Sequence, residues 1–98
     1  MERTKIRPNL WAAYDDEKNL YHIEIELPGV KKTDIDIKML SGGFMVKAPK
    51  GEIEYMGDYA FCCPVNPEKT EAEYDNGLLT IHVPLKKPYE GATKVWVK

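Results

Sequence analysis

The amino-acid sequence predicts an all-β fold, an antiparallel sandwich of about seven or eight strands. Three observations carry the prediction. Apolar and polar residues alternate with a period of two in successive runs. Turn-favouring residues stand between those runs. No stretch keeps helical spacing of its apolar residues for about ten residues or more.

Residues 1–9 read as a short irregular arm. Trp11 to Asp15 is a weak strand candidate, closed by the turn Asp16-Glu17-Lys18-Asn19. Tyr21, Ile23, Ile25 and Leu27 then alternate with His22, Glu24 and Glu26. Pro28-Gly29 ends that strand, because proline cannot donate to a central ladder. Ile35, Ile37 and Met39 alternate with Asp34, Asp36 and Lys38, and Phe44, Val46 and Ala48 follow Ser41-Gly42-Gly43. Pro49-Lys50-Gly51 fits a tight turn. Ile53, Tyr55, Tyr59, Phe61 and Cys63 keep one phase across Gly57, which predicts a single strand over 52–63 with a bulge. Pro64 and Pro67 stop it. Asn76-Gly77, between EAEYD and LLTIHV, signals a hairpin. Leu79, Ile81 and Val83 form the next apolar face, so the sandwich is read over 10–84. The segment 85–93 is irregular, and Lys94 to Val97 is a weak last strand candidate within the tail 85–98.

Length and charge narrow the function. A chain of 98 residues holds one small domain with one core. Hydrophobic residues at 43% and charged residues at 31% suit a folded soluble domain. No apolar run approaches about 20 residues, the length that spans a bilayer, and the first residues lack a secretory pattern. A cytoplasmic location with no membrane partner is expected. Net charge is −2. The stretch 52–75 carries Glu52, Glu54, Asp58, Glu68, Glu71, Glu73 and Asp75 against Lys69 alone and would repel phosphate. Nucleic acid is therefore not an expected partner.

Cys62 and Cys63 are neighbours and the only cysteines. On an extended strand their side chains would point to opposite faces, so a bond between them would be strained. A disulfide framework is excluded within one chain, which suits a reducing compartment.

Reactive constellations are sparse, so no enzyme is expected. The one serine, Ser41, sits in a Leu-Ser-Gly-Gly turn rather than a nucleophile elbow. Cys62, Cys63, His22 and His82 could supply a Cys-His pair, but they read better as strand residues. The same four lack C-x-x-C or H-x-x-x-H spacing, so no metal is expected. Glu24, Glu26, Asp34 and Asp36 lie opposite the isoleucines, as on the solvated side of a sheet. No glycine-rich phosphate loop occurs, and no cofactor is expected.

Binding remains. An open sandwich has edge strands, which template another strand. The tail Thr93-Lys94-Val95-Trp96-Val97-Lys98 could supply one to its own domain or to a neighbour, or could simply complete the sandwich.

The order of motifs resembles the small heat-shock proteins. ELPGVKKTDIDIKM (26–39) is similar to the family's strand that ends in a leucine-proline-glycine turn before a second strand. AEYDNGLLTIHVPLKK (72–87) is similar to its most recognisable block, and NLWAAYDDEKNLYHIEIELPGV to its first strands. The likeness spans about residues 9–88. It implies an alpha-crystallin domain, an immunoglobulin-like sandwich that acts in the stress response. It implies an ATP-independent holdase whose partners are unfolding client proteins and further copies of itself, as a dimer or higher oligomer. In the family a C-terminal Ile-x-Ile or Ile-x-Val motif enters a groove between two strands of a neighbour. Val95-Trp96-Val97 is similar to that motif, with Val95 and Val97 in both key places, and the resemblance puts the groove at Ile35, Ile37, Met39, Thr70 and Ala72.

Three features depart from the family pattern. The arm before Trp11 is short and offers little apolar surface. The connection from Val46 to Phe61 looks like a direct hairpin, where microbial members carry a long loop with an exchanged, dimer-forming strand. Cys62-Cys63-Pro64 stands where the family's typical arginine precedes a proline. Co-chaperone sandwiches that bind a folded partner also lack the loop, which provides an alternative reading.

Overall fold

The computed structural model describes residues 2–98. Eight strands form two four-stranded sheets. The strands are β1 (Thr4–Ile6), β2 (Leu10–Asp15), β3 (Leu20–Glu26), β4 (Asp36–Leu40), β5 (Gly43–Lys50), β6 (Ile53–Ala60), β7 (Glu71–Asp75) and β8 (Leu78–Pro84). One sheet runs β1-β6-β5-β4 and the other β2-β3-β8-β7. Single 3-10 turns at Lys32–Asp34 and Pro67–Lys69 link the sheets.

The predicted alternation builds the core. Ile23, Ile25, Leu27, Phe44, Val46, Ala48, Leu79, Ile81 and Val83 are buried between the sheets, with Val30 and Val65 closing the ends. Their partners His22, Glu24, Lys47 and His82 lie on the wetter faces, as a period of two requires. Tyr74, half-buried on β7, reaches under this core. Its hydroxyl lies 2.7 Å from the Leu27 carbonyl and 2.8 Å from that of Val30.

Turn chemistry decides the register. Asn76 and Gly77 have φ of 48° and 81°, the double positive φ of a two-residue hairpin that matches strand twist. Asp15 Oδ1 accepts the N–H groups of Glu17 (3.0 Å) and Lys18 (3.1 Å), closing the β2–β3 turn. The β5–β6 turn is Gly51-Glu52, one residue later than the expected Pro49-Lys50-Gly51. Pro49 lies inside β5 instead. Its missing N–H costs no ladder bond, because β4 pairs only as far as Lys47.

Four expectations are corrected. Of the arm read as irregular over 1–9, Met1 lies outside the described residues and Thr4–Ile6 forms β1, parallel to β6. The sandwich is therefore antiparallel except for this pair. The arm is held by backbone and arginine contacts. The Thr4 N–H donates to Glu52 O (2.9 Å), Arg3 Nε to Gly51 O (2.9 Å) and Arg7 Nη2 to Asp58 O (3.2 Å). The basic arm thus lies along the acidic start of the 52–75 stretch. All three β1 residues are exposed, so no burial pattern marks them. Second, β6 stops at Ala60 and has no bulge, since its pairing with β5 is unbroken from Ile53 to Ala60. Gly57 stays in phase on the buried face. Third, Lys94 to Val97 forms no strand. Fourth, Cys62 and Cys63 are not on opposite faces of a strand. They lie in a bend with their sulfurs 3.6 Å apart.

Candidate functional groove

β4 and β7 are each the last strand of their sheet, and both lie on the same side of the sandwich. Each pairs on one side only, so each leaves a row of backbone N–H and C=O groups unpaired by another strand. Between them runs a groove of about 300 Å³ lined by Ile37, Met39, Pro67, Thr70, Ala72 and Ile81. The alternation of β4 turns Ile37 and Met39 inward while Asp36 and Lys38 face water. The Asn76-Gly77 hairpin sets Ala72 opposite Ile81, whose buried side chain lies at the groove floor.

Thr70 ties the two walls together. Its hydroxyl donates to Asn66 O at 3.0 Å and lies 3.4 Å from Met39 Sδ. Four of the five groove residues expected from sequence therefore line one cavity. Ile35 does not line it; this residue ends the Lys32–Asp34 turn, where its N–H meets Lys32 O at 3.3 Å. Pro67 and Ile81 were absent from that expectation. The register of the Asn-Gly hairpin would have identified Ile81, while Pro67 enters through a turn that no strand pattern specifies.

The tail stands clear of the domain. Leu85 bridges Val65, and beyond it no residue joins a strand. Val95, Trp96 and Val97 are 82%, 76% and 97% exposed. Lys94 Nζ sits 4.3 Å over the Trp96 ring. Glu71, Glu73 and Asp75 stand along the β7 edge, opposite in charge to Lys94 and Lys98.

Residues 13–98 match the family model described as the Hsp20/alpha crystallin family. The chain belongs to that family.

This Hsp20 chain is 29% identical over 101 residues to the "Probable 15 kDa heat shock protein" of Leptospira interrogans, covering 89% of this chain and 77% of that protein. Its fold is that of Heat shock protein 16.0 from Schizosaccharomyces pombe (TM-score 0.78, 20% identity, 96% of this chain and 77% of the other). It also matches a small heat-shock protein from Xylella fastidiosa (TM-score 0.72, 16% identity, 95% and 97% covered). The domain is thus an alpha-crystallin domain, and the family places it among the chaperones in general terms.

Elsewhere the alpha-crystallin sandwich gathers two polar clusters. On the outer face of the β2-β3-β8-β7 sheet, His22 Nδ1 and His82 Nε2 lie 2.8 Å apart, with Trp11 edge-on to His22 and Glu24 3.8 Å from it. The second cluster is Tyr21 with Cys62 and Cys63. Among the described residues, no group of three or more His, Cys, Asp or Glu could hold a metal ion, and no helix is long and apolar enough to cross a membrane.

Proposed function

We propose that this Hsp20-family chain is an ATP-independent holdase, cytoplasmic and not an enzyme, which holds apolar surface of unfolding proteins and prevents their aggregation. Further copies of the chain associate through the tail, with Val95 and Val97 docking in the β4–β7 groove of a neighbour. One observation carries the reading. An apolar groove stands open between two strand edges while an apolar Val-x-Val segment stands exposed in the same chain.

The magnitudes favour many weak contacts over one strong one. Each docked valine contributes about 1.5–3 kcal/mol at best. Ordering the tail costs about 1–2 kcal/mol per residue. A single tail therefore binds weakly, and an assembly gains through multivalency. The tail from Leu85 to Val95 reaches about 35 Å when extended, enough to leave its own domain.

The test is light scattering from a heat-labile client. Suppression of aggregation near equimolar ratio supports the holdase; none at several-fold excess defeats it. The second reading, a module for one folded partner, is favoured by the direct Gly51-Glu52 hairpin, which leaves no loop for an exchanged strand. Capture of a single folded protein, without suppression of aggregation, would select it.

A further inference from the structure

Consecutive side chains on a strand diverge, so two adjacent cysteines in a ladder cannot act together. β6 ends at Ala60, just before this pair. The Phe61 N–H is bound by Gly42 O at 3.0 Å, and the chain then bends through Cys62 and Cys63 towards Pro64. The bend places both exposed sulfurs 3.6 Å apart. Tyr21 stacks on Phe61 and sets its hydroxyl 2.7 Å from Cys62 Sγ. The contact with Tyr21, then that with Cys63, lowers the pKa of the Cys62 thiol, while the Tyr21–Cys62 contact pushes Tyr21 up to about 12. Of the two groups, the Cys62 thiol with its lowered pKa is the nucleophile.

The spacing selects the chemistry. A disulfide needs its sulfurs about 2.05 Å apart and its Cα atoms at about 4.4–6.8 Å, whereas adjacent Cα atoms are about 3.8 Å apart. Closing that ring is strained. With metal–sulfur bonds of about 2.3 Å, a linear centre needs sulfurs ~4.6 Å apart and a tetrahedral one ~3.8 Å. The observed 3.6 Å fits a bent chelate. No third ligating side chain joins the pair among the described residues, so the guest must bring its remaining substituents. Cys62 also lines an apolar cleft of about 320 Å³ with Ala12, Tyr21, Ile23, Phe44 and Phe61, on the side of the sandwich opposite the β4–β7 groove. That cleft can hold one apolar substituent.

We propose that Cys62 and Cys63 form a chelating dithiol site for a trivalent thiophilic centre that carries an apolar group, with organoarsenicals as the class it takes. With phenylarsine oxide, both sulfurs bond to arsenic and the arsenic–oxygen bond is replaced. The two thiol protons leave with that oxygen as water. Arsenic stays trivalent, and no electron is transferred.

The experiment adds phenylarsine oxide to the full chain and follows intact mass and free thiols. One arsenic per chain should bind, with loss of both thiols. A dithiol should release it, and a monothiol at equal thiol concentration should not. Cys62→Ser and Cys63→Ser should each bind about 100-fold more weakly, because the second bond is no longer intramolecular. Methylarsine oxide should bind about tenfold more weakly than the phenyl probe, because it leaves the cleft unfilled. Release by monothiol, two arsenics per chain, or single variants that bind like the parent would overturn the chelate. Equal affinity for the two probes would overturn the role of the cleft.

Discussion

The Thr70 hydroxyl lies 3.4 Å from the Met39 sulfur, joining strand edges that belong to different sheets. Met39 comes from β4, which pairs with β5, and Thr70 leads into β7, which pairs with β8. The groove therefore depends on how the two sheets stack, not on either sheet alone.

Blocking that groove tests the assembly without disturbing the fold. Ala72 is exposed at its rim. Ala72→Arg should lower the oligomeric mass as far as deletion of 94–98 does, while stability stays within about 0.5 kcal/mol. Size exclusion with light scattering, alongside a thermal melt, measures both. Full-sized particles from either variant would rule out tail docking.

Arg7 anchors the arm. Its guanidinium lies 4.7 Å over the Tyr59 ring and donates to Asp58 O at 3.2 Å. Arg7→Ala should cost about 1 kcal/mol, a drop of about 4–8 °C in Tm for a domain of this size. Amide exchange along Ile53 to Tyr55 should quicken as β1 frays from the β6 edge. Unchanged exchange there would mean that the backbone ladder alone holds β1.

Among the described residues, the buried Tyr59 hydroxyl has no hydrogen-bond partner. It folds back over Gly57, where a methyl group would collide with it. Removing an unsatisfied buried hydroxyl removes its desolvation penalty, so Tyr59→Phe should stabilise by about 1 kcal/mol. A urea titration checks this, and a loss of stability would show that the hydroxyl is hydrated.

Alkaline pH should weaken the fold through Tyr21. Hydrogen bonding to Cys62 and then burial raise its pKa from 10.0 to about 12, so the native state holds its proton longer than the unfolded chain does. The stability this contributes is complete below pH 10 and is lost as pH rises towards about 12. Burial also raises Tyr59, which acts in the same direction. Tyr21→Phe should flatten the fall of the urea midpoint across that window; an equally steep fall would assign it to other groups.

Loss of the Tyr74 hydroxyl should be felt in the core. It meets the Leu27 and Val30 carbonyls where β3 hands over to β4. Tyr74→Phe should destabilise by about 1–3 kcal/mol, because at least one acceptor is left unpaired. A shift in the urea midpoint with an unchanged slope is the expected record.

The β-sandwich was legible because a half-buried strand writes its buried face into every second residue. Ile23, Ile25, Ile81 and Val83 announce their strands in this way. Asn76-Gly77 likewise specified its hairpin, because both residues tolerate positive φ. Of the five residues that the resemblance assigned to a groove, Ile37, Met39, Thr70 and Ala72 line the β4–β7 cavity. β1 could not be read, since a parallel edge strand with exposed side chains is held by backbone contacts to a partner about fifty residues away. The meeting of Cys62 and Cys63 was equally hidden. Period-two reasoning separates neighbours, and only the end of β6 at Ala60, under Gly42 and Pro64, turns the chain enough to join them. Local sequence determined which residues are strands and which faces they bury. Tertiary packing decided which edges stay open, because an edge is defined by the strand that does not come to cover it.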